Sequence, residues 1–161
     1  MALDTSHLQH SLAAGIAELQ MALTVEQQHQ LLDYVALLDK WNKVYNLTAV
    51  REPAKMIGLH ILDSLALVPH LGNVDRLLDV GSGGGLPGIC VAIAKPNIDV
   101  VMLDSLQKKT TFIRQAIGEI GLANASVVCE RVEAYQPPEK YRWITSRAFA
   151  ELADFVAGTA H

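Results

Sequence analysis

Positions 79 to 88 read Asp79-Val80-Gly81-Ser82-Gly83-Gly84-Gly85-Leu86-Pro87-Gly88, so five glycines fall within ten residues. The run leading into it, Arg76-Leu77-Leu78-Asp79-Val80, is short and apolar, as a strand buried on both faces would be. The run leading out, Leu86 to Ala94, suits a helix with Pro87 near its first turn. Glycine at a strand-to-helix turn lets the backbone take positive φ and lets a ligand approach with no Cβ in the way. The helix start adds N–H groups and a positive dipole end. Further on, Asp99-Val100-Val101-Met102-Leu103-Asp104 is a second apolar run that ends in a carboxylate. An acid about 20 residues past the glycines reaches ribose hydroxyls lying across the carboxyl edge of a parallel sheet. Together these features predict a nucleoside-containing cofactor.

The flanking pattern fits that sheet. After the second strand, Gln107 to Ile120 reads as a helix stopped by Gly121, Ser126 to Cys129 as a third strand and Arg142 to Thr145 as a fourth. Glu151 to Ala157 starts a further helix. Strands alternating with helices at this spacing mean βαβ units: an α/β, Rossmann-like parallel sheet over residues 73–161. Residues 1–72 read instead as a helical segment packing on the sheet. Leu8, Leu12, Ile16, Leu19 and Leu23 form one apolar face. A second helix starts at Thr24, with Gln27 completing a capping box, and leads through Leu31, Val35 and Leu38 to Trp41. Asn42 to Thr48 is poorly periodic and reads as a loop, and a third helix runs from Pro53 towards Pro69.

The 161 residues make one globular unit with a core of its own, since half are hydrophobic and 19% charged. A net charge of −4 excludes a polybasic tail binder but leaves room for local basic patches. Cys90 and Cys129 lie in apolar runs and read as core residues, which argues against disulfides and fits a reducing cytoplasm. The six histidines show no ligand spacing, so no metal is expected. No apolar stretch is long enough to span a membrane, and no secretory leader is evident at the N-terminus.

The identity of the cofactor turns on one position. A dinucleotide fingerprint wants a third glycine where this chain has Leu86, and a P-loop would need Gly-Lys-Ser/Thr after the loop. Glycines at 81, 83 and 85 after the acid at 79 resemble the first motif of S-adenosylmethionine-dependent methyltransferases instead. Four further segments occur in order: Trp41-Asn42-Lys43 with Tyr45-Asn46-Leu47-Thr48, His60-Ile61-Leu62-Asp63-Ser64, Leu103-Asp104-Ser105 and Ser146-Arg147-Ala148-Phe149. With the glycine loop they closely resemble the bacterial ribosomal RNA small subunit methyltransferase G family, also called the glucose-inhibited division protein B family. The resemblance runs from about residue 20 to the end, and His161 falls where roughly the last quarter of the family pattern would follow. On that reading the fourth strand would carry an exposed apolar edge.

The resemblance implies methylation of N7 of a guanine in 16S ribosomal RNA, with S-adenosylmethionine as donor and S-adenosylhomocysteine as product. It carries cofactor contacts onto Gly81 and Leu86, Val132-Glu133 and Arg147, beside Gly83, Gly85 and Asp104 from the loop-and-acid pattern. Arg147 is also the candidate catalytic residue. It follows a strand at the carboxyl edge, where a guanidinium suits an RNA phosphate or guanine O6; a surface pair with Glu151 is the simpler alternative. Lys43 and Arg51 near Trp41 and Tyr45, and Lys108 and Lys109 after Asp104, are candidate RNA contacts, or else solvated faces. Trp41 and His60 read as packing residues. The expected partner is 16S RNA or the small subunit, with no obligate protein partner. The rivals are a small-molecule methyltransferase, a non-catalytic cofactor- or RNA-binding fragment and, disfavoured by Leu86, a dehydrogenase.

Overall fold

The computed structural model describes residues 5–146. Four parallel strands form one sheet in the order β3-β2-β1-β4: β1 Arg76–Val80, β2 Asp99–Asp104, β3 Ala125–Cys129 and β4 Trp143–Thr145. The strands fall where the apolar runs predict them. Leu77 pairs with Val100 and Trp143, and Val80 with Leu103. Two helices cross between strands, α5 Gly88–Ala94 and α6 Gln107–Ile120. α5 starts two residues later than expected, because Pro87 sits at the N-cap and the glycine turn extends up to it. The helix expected from Glu151 lies outside the described residues.

Side-chain alternation divides the core. Leu77, Val100 and Met102 point into a large cluster shared with α5, α6 and the N-terminal helices, including Leu12, Leu31, Leu38 and Phe112. Leu78, Val80, Val101 and Leu103 point the other way, where Val132, Tyr135, Tyr141 and Ile144 cover them. This is the period-2 consequence of a pleated sheet buried on both faces. β4 is an edge of the described sheet, and its Trp143 is exposed.

The N-terminal segment departs from expectation in three places. α1, Thr5–Glu18, ends before Leu19 and Leu23, with Gln20 at positive φ. α2, Val25–Tyr45, has the predicted capping box at Thr24 but runs on through Asn42-Lys43-Val44-Tyr45, which were expected in a loop. Asn42 explains the extension, being 2% exposed and bonded on both sides. Its Oδ1 accepts from Thr48 N at 2.8 Å and its Nδ2 donates to Val50 O at 3.2 Å, so the returning chain satisfies a polar residue inside the helix. The third helix is α only at α3, Pro53–Met56, and α4, Asp63–Leu65; Ile57–Leu62 between them is a π-helix.

Candidate functional site

The glycine loop is held from below and from two sides. Asp79, fully buried at the end of β1, accepts from Gly88 N through Oδ2 at 2.9 Å, tying the strand to the first turn of α5. A Cβ on Gly88 would lie 2.5 Å from Met102 Cγ and 2.9 Å from that same Oδ2, so only glycine lets α5 pack this closely on the sheet. Ser82 Oγ donates to Asp79 O at 2.9 Å. From the N-terminal segment, the buried Tyr34 hydroxyl donates to Gly84 O. Asp104, at the end of β2, accepts from Gly83 N through Oδ2 and from Leu106 N through Oδ1, both at 2.9 Å. The carboxylate therefore fixes the loop and the approach to α6 while still bordering the crevice. Gly81, Gly83 and Gly85 all have positive φ, as a tight turn at this edge requires. A Cβ on Gly83 would project into open space; on Gly85 it would collide with Ile89 beneath the loop.

Two cavities open at the carboxyl edge, and Gly81 belongs to the wall of both. The first, about 170 Å³, is bordered by Asp104, Ser105, Glu130, Arg131, Val132 and Glu133. Three carboxylates stand on its wall, a lining that suits sugar hydroxyls and a cationic ligand. The second, about 260 Å³, lies between the loop and the N-terminal helices, with Leu38, Leu47, Thr48, His60, Leu86 and Lys109 on its walls. It has no carboxylate among its lining residues.

The structure thus brings Gly81, Asp104, Val132 and Glu133 together at the first cavity, and Gly81, Gly83, Leu86 and Lys109 at the second. Gly85 is buried under the loop and borders neither. Lys43 forms an ion pair with Asp39 at 3.3 Å, and Arg51 bonds Asn42 O and Asn46 Oδ1; both are exposed, and neither is on the wall of either cavity. Lys108 is exposed on α6, outside both cavity walls. Arg147 lies outside the described residues, but Ser146 just before it approaches Gly81, where a Cβ would stand 4.0 Å from its Oγ. Trp41 is half-buried, with its ring 5.5 Å from that of Phe112, in keeping with a packing role.

Glu130 and Arg131 line the first cavity and were not named from motifs, and Ser105, quoted in the Leu103-Asp104-Ser105 segment, was given no role there. The signal was available, because every parallel strand's carboxyl end faces the ligand crevice. Cys90 is buried as expected, whereas Cys129 is exposed. It is the last residue of a strand at the edge of the described sheet, and its Sγ reaches Ser105 O at 3.8 Å.

Comparison with known proteins places this architecture in a family. A family model described as rRNA small subunit methyltransferase G (GidB) matches residues 27–161. A ribosomal RNA small subunit methyltransferase G from Laribacter hongkongensis is 56% identical over 96% of this chain and 74% of its own length. One from Chromobacterium violaceum is 55% identical over the whole chain and 75% of its own length. Among solved structures, the YcgJ protein of Bacillus subtilis superposes with a TM-score of 0.50 at 20% identity, over 62% of this chain and 45% of that one. The apo S-adenosylmethionine-dependent methyltransferase SibL gives 0.50 at 21% identity, over 71% of this chain and 39% of that one. This chain therefore spans under half of each of those two structures, and the likeness concerns the Rossmann-like methyltransferase fold. On the family match and the identity to these curated relatives, the chain belongs to the rRNA small subunit methyltransferase G family.

Proposed function

We propose that this chain binds S-adenosylmethionine at the carboxyl edge of its sheet and directs methyl transfer to N7 of a guanine in 16S ribosomal RNA. The observation that carries the reading is the meeting of an acid-lined and an acid-free cavity at Gly81. The donor is cationic and bears a ribose, and its sulfonium carbon supplies the electrophile. Asp104, Glu133 and Val132 border the cavity that fits its nucleoside half, and Gly81 with Gly83 leaves room for its amino-acid end. Guanine N7 carries an in-plane lone pair and no proton, so the protein needs no general base there. Its work is to hold the acceptor in line and to keep water out.

Two sequence features favour N7 over other acceptors. Thr145-Ser146-Arg147-Ala148 stands at the end of the fourth strand, where exocyclic-amine methyltransferases carry an Asp/Asn-Pro-Pro-aromatic segment. Carbon methylation of cytosine needs a thiol nucleophile, and neither Cys90 nor Cys129 borders a cavity described above. Arg147 is the proposed contact to an RNA phosphate or guanine O6, with Lys43, Arg51, Lys108 and Lys109 as further phosphate contacts. A net charge of −4 favours an assembled small subunit over naked RNA, since nonspecific affinity for phosphate would be weak. The site of action would then be the cytoplasm.

The test is incubation with unmethylated small subunits and labelled S-adenosylmethionine, followed by mapping of N7-methylguanosine in the 16S RNA. One labelled guanine is the expected result. Label in metabolites but never in RNA, or binding of NAD without binding of S-adenosylmethionine, would overturn the reading.

A further inference from the structure

We infer that Tyr34, on α2, is a positioning residue for the cofactor: its buried hydroxyl fixes the Gly84 carbonyl and so shapes the glycine loop to receive the donor's amino-acid end. This rests on the functional reading above and deepens it.

The loop has little with which to hold itself. Gly83, Gly84 and Gly85 carry no side chains, and their backbone is free to take many conformations unless something outside fixes it. Within the loop, Ser82 O accepts from Gly85 N at 2.8 Å and from Leu86 N at 3.0 Å. From outside, Asp104 holds Gly83 N and Tyr34 holds Gly84 O. Two neighbouring glycines are thus pinned from two different elements, β2 and α2. Both stand on the wall of the acid-free cavity, whereas Tyr34 borders neither cavity. The phenol therefore acts on a ligand only through the loop.

The hydroxyl does something the ring does not. Tyr34 is fully buried, and its ring stands 6.4 Å from that of Phe112 on α6, so the core already locks the side chain in place. A phenylalanine would fill the same space. The hydroxyl adds a donor that is out of water, and Gly84 is buried too, so the O–H and the carbonyl satisfy each other. A Cβ on Gly85 would stand 3.4 Å from this hydroxyl, and one on Gly84 would stand 3.1 Å from Leu38 Cδ1. Tyr34 and Leu38 are four positions apart and share one face of α2, and the loop lies on that face.

Coupling to binding follows from the cost of an orphaned carbonyl. Without the hydroxyl, the free protein escapes that cost by turning Gly84 O towards water, and the loop then leaves its binding geometry. A ligand that needs the loop in place must restore it, so its apparent affinity falls with the fraction of molecules still competent. The nucleoside half is spared, because Asp104, Val132 and Glu133 border the other cavity.

The test compares Tyr34→Phe with the wild-type chain by calorimetry. The probes are S-adenosylhomocysteine and 5′-methylthioadenosine, which has the nucleoside and the thioether but no amino-acid end. The variant keeps the ring and its packing on Phe112, so it folds. Expected for Tyr34→Phe is a loss of about tenfold in affinity for S-adenosylhomocysteine, the size of one orphaned hydrogen bond, with affinity for methylthioadenosine unchanged. Tyr34→4-aminophenylalanine, which returns an N–H donor to the same place, recovers the loss. Unchanged S-adenosylhomocysteine affinity in Tyr34→Phe would overturn the inference. So would an equal loss for both ligands, the mark of a general loosening, or a loss that the amino variant does not recover. If the wild-type chain binds neither ligand, the functional reading fails, and amide hydrogen exchange of the free protein decides the role of Tyr34 by itself. In Tyr34→Phe, a rise of about tenfold at Gly85 and Leu86 that exceeds the rise across β1 supports it, and an equal or absent rise overturns it.

Discussion

Asp79 and Gly88 show how much of the site depends on single atoms. The carboxylate is taken fully out of water, Gly88 N donates to it there, and Gly88 can come that close only because it has no side chain. Gly83 is a different case. Its φ of 58° is costly for any residue with a Cβ, and the Cβ itself would enter open space on the ligand side of the loop. Gly83→Val should therefore lower stability by about 1–2 kcal/mol, the usual cost of the left-handed region. The same variant should also lose S-adenosylmethionine binding altogether, because the side chain fills the ligand's room. Urea unfolding and calorimetry separate the two effects, and wild-type affinity in a folded Gly83→Val protein would remove the loop from the site.

At the scale of elements, α2 matters more than a covering helix would. Its N-terminus carries a reciprocal capping box, with Gln27 N donating to Thr24 Oγ1 at 3.1 Å and Thr24 N to Gln27 Oε1 at 2.8 Å. The Gln27 amide also donates to Ile93 O at 3.0 Å, closing the end of α5. Its middle delivers Tyr34 to the glycine loop, and its last turn, through Asn42, sets the strand of chain bearing Thr48. Loss of the cap should loosen the whole arrangement. Thr24→Ala is expected to cost about 1 kcal/mol in urea unfolding, the typical value for an N-cap. A change within error would mean that Gln27 is held by α5 alone. The capping box was visible in the sequence, because it needs only residues three apart. The length of α2 was not, because Asn42-Lys43-Val44-Tyr45 lacks helical periodicity and is kept helical by a buried amide whose partners come later in the chain.

Over the whole molecule, the second face of the sheet is closed by the chain between β3 and β4. Arg76 lies over the Tyr141 ring at 4.4 Å and meets Glu139 Oε2 at 3.4 Å. Burial, with a smaller contribution from the Tyr135 hydroxyl, pushes the Tyr141 phenol up to about 12, while Arg76 pulls the other way. A folded-state value above the ordinary one near 10 means that the neutral phenol stabilises the fold below about pH 10 and that this contribution disappears as pH climbs towards about 12. Stability measured by urea unfolding should fall over that window, and Tyr141→Phe should flatten the fall. An equal fall in the variant would place the alkaline sensitivity elsewhere. No helix among the described residues is long and apolar enough to cross a membrane.

The order of strands and helices, the loop at the end of β1 and the acid at the end of β2 were legible in the residues alone. Each depends on a short run whose period, turn chemistry or spacing acts locally. What the sequence left open is which distant pieces meet. Tyr34 reaches Gly84 across 50 positions, and Thr48, after α2, and His60, in the π-helix, meet each other on the wall of a cavity that the loop also borders. Periodicity says that a face is apolar but not what it packs on, so His60 reads as a packing residue until the π-helix carries it to a cavity wall. For the same reason Gly85 and Gly83 look alike in a motif, and only the packing under the loop puts one against Ile89 and the other against open space.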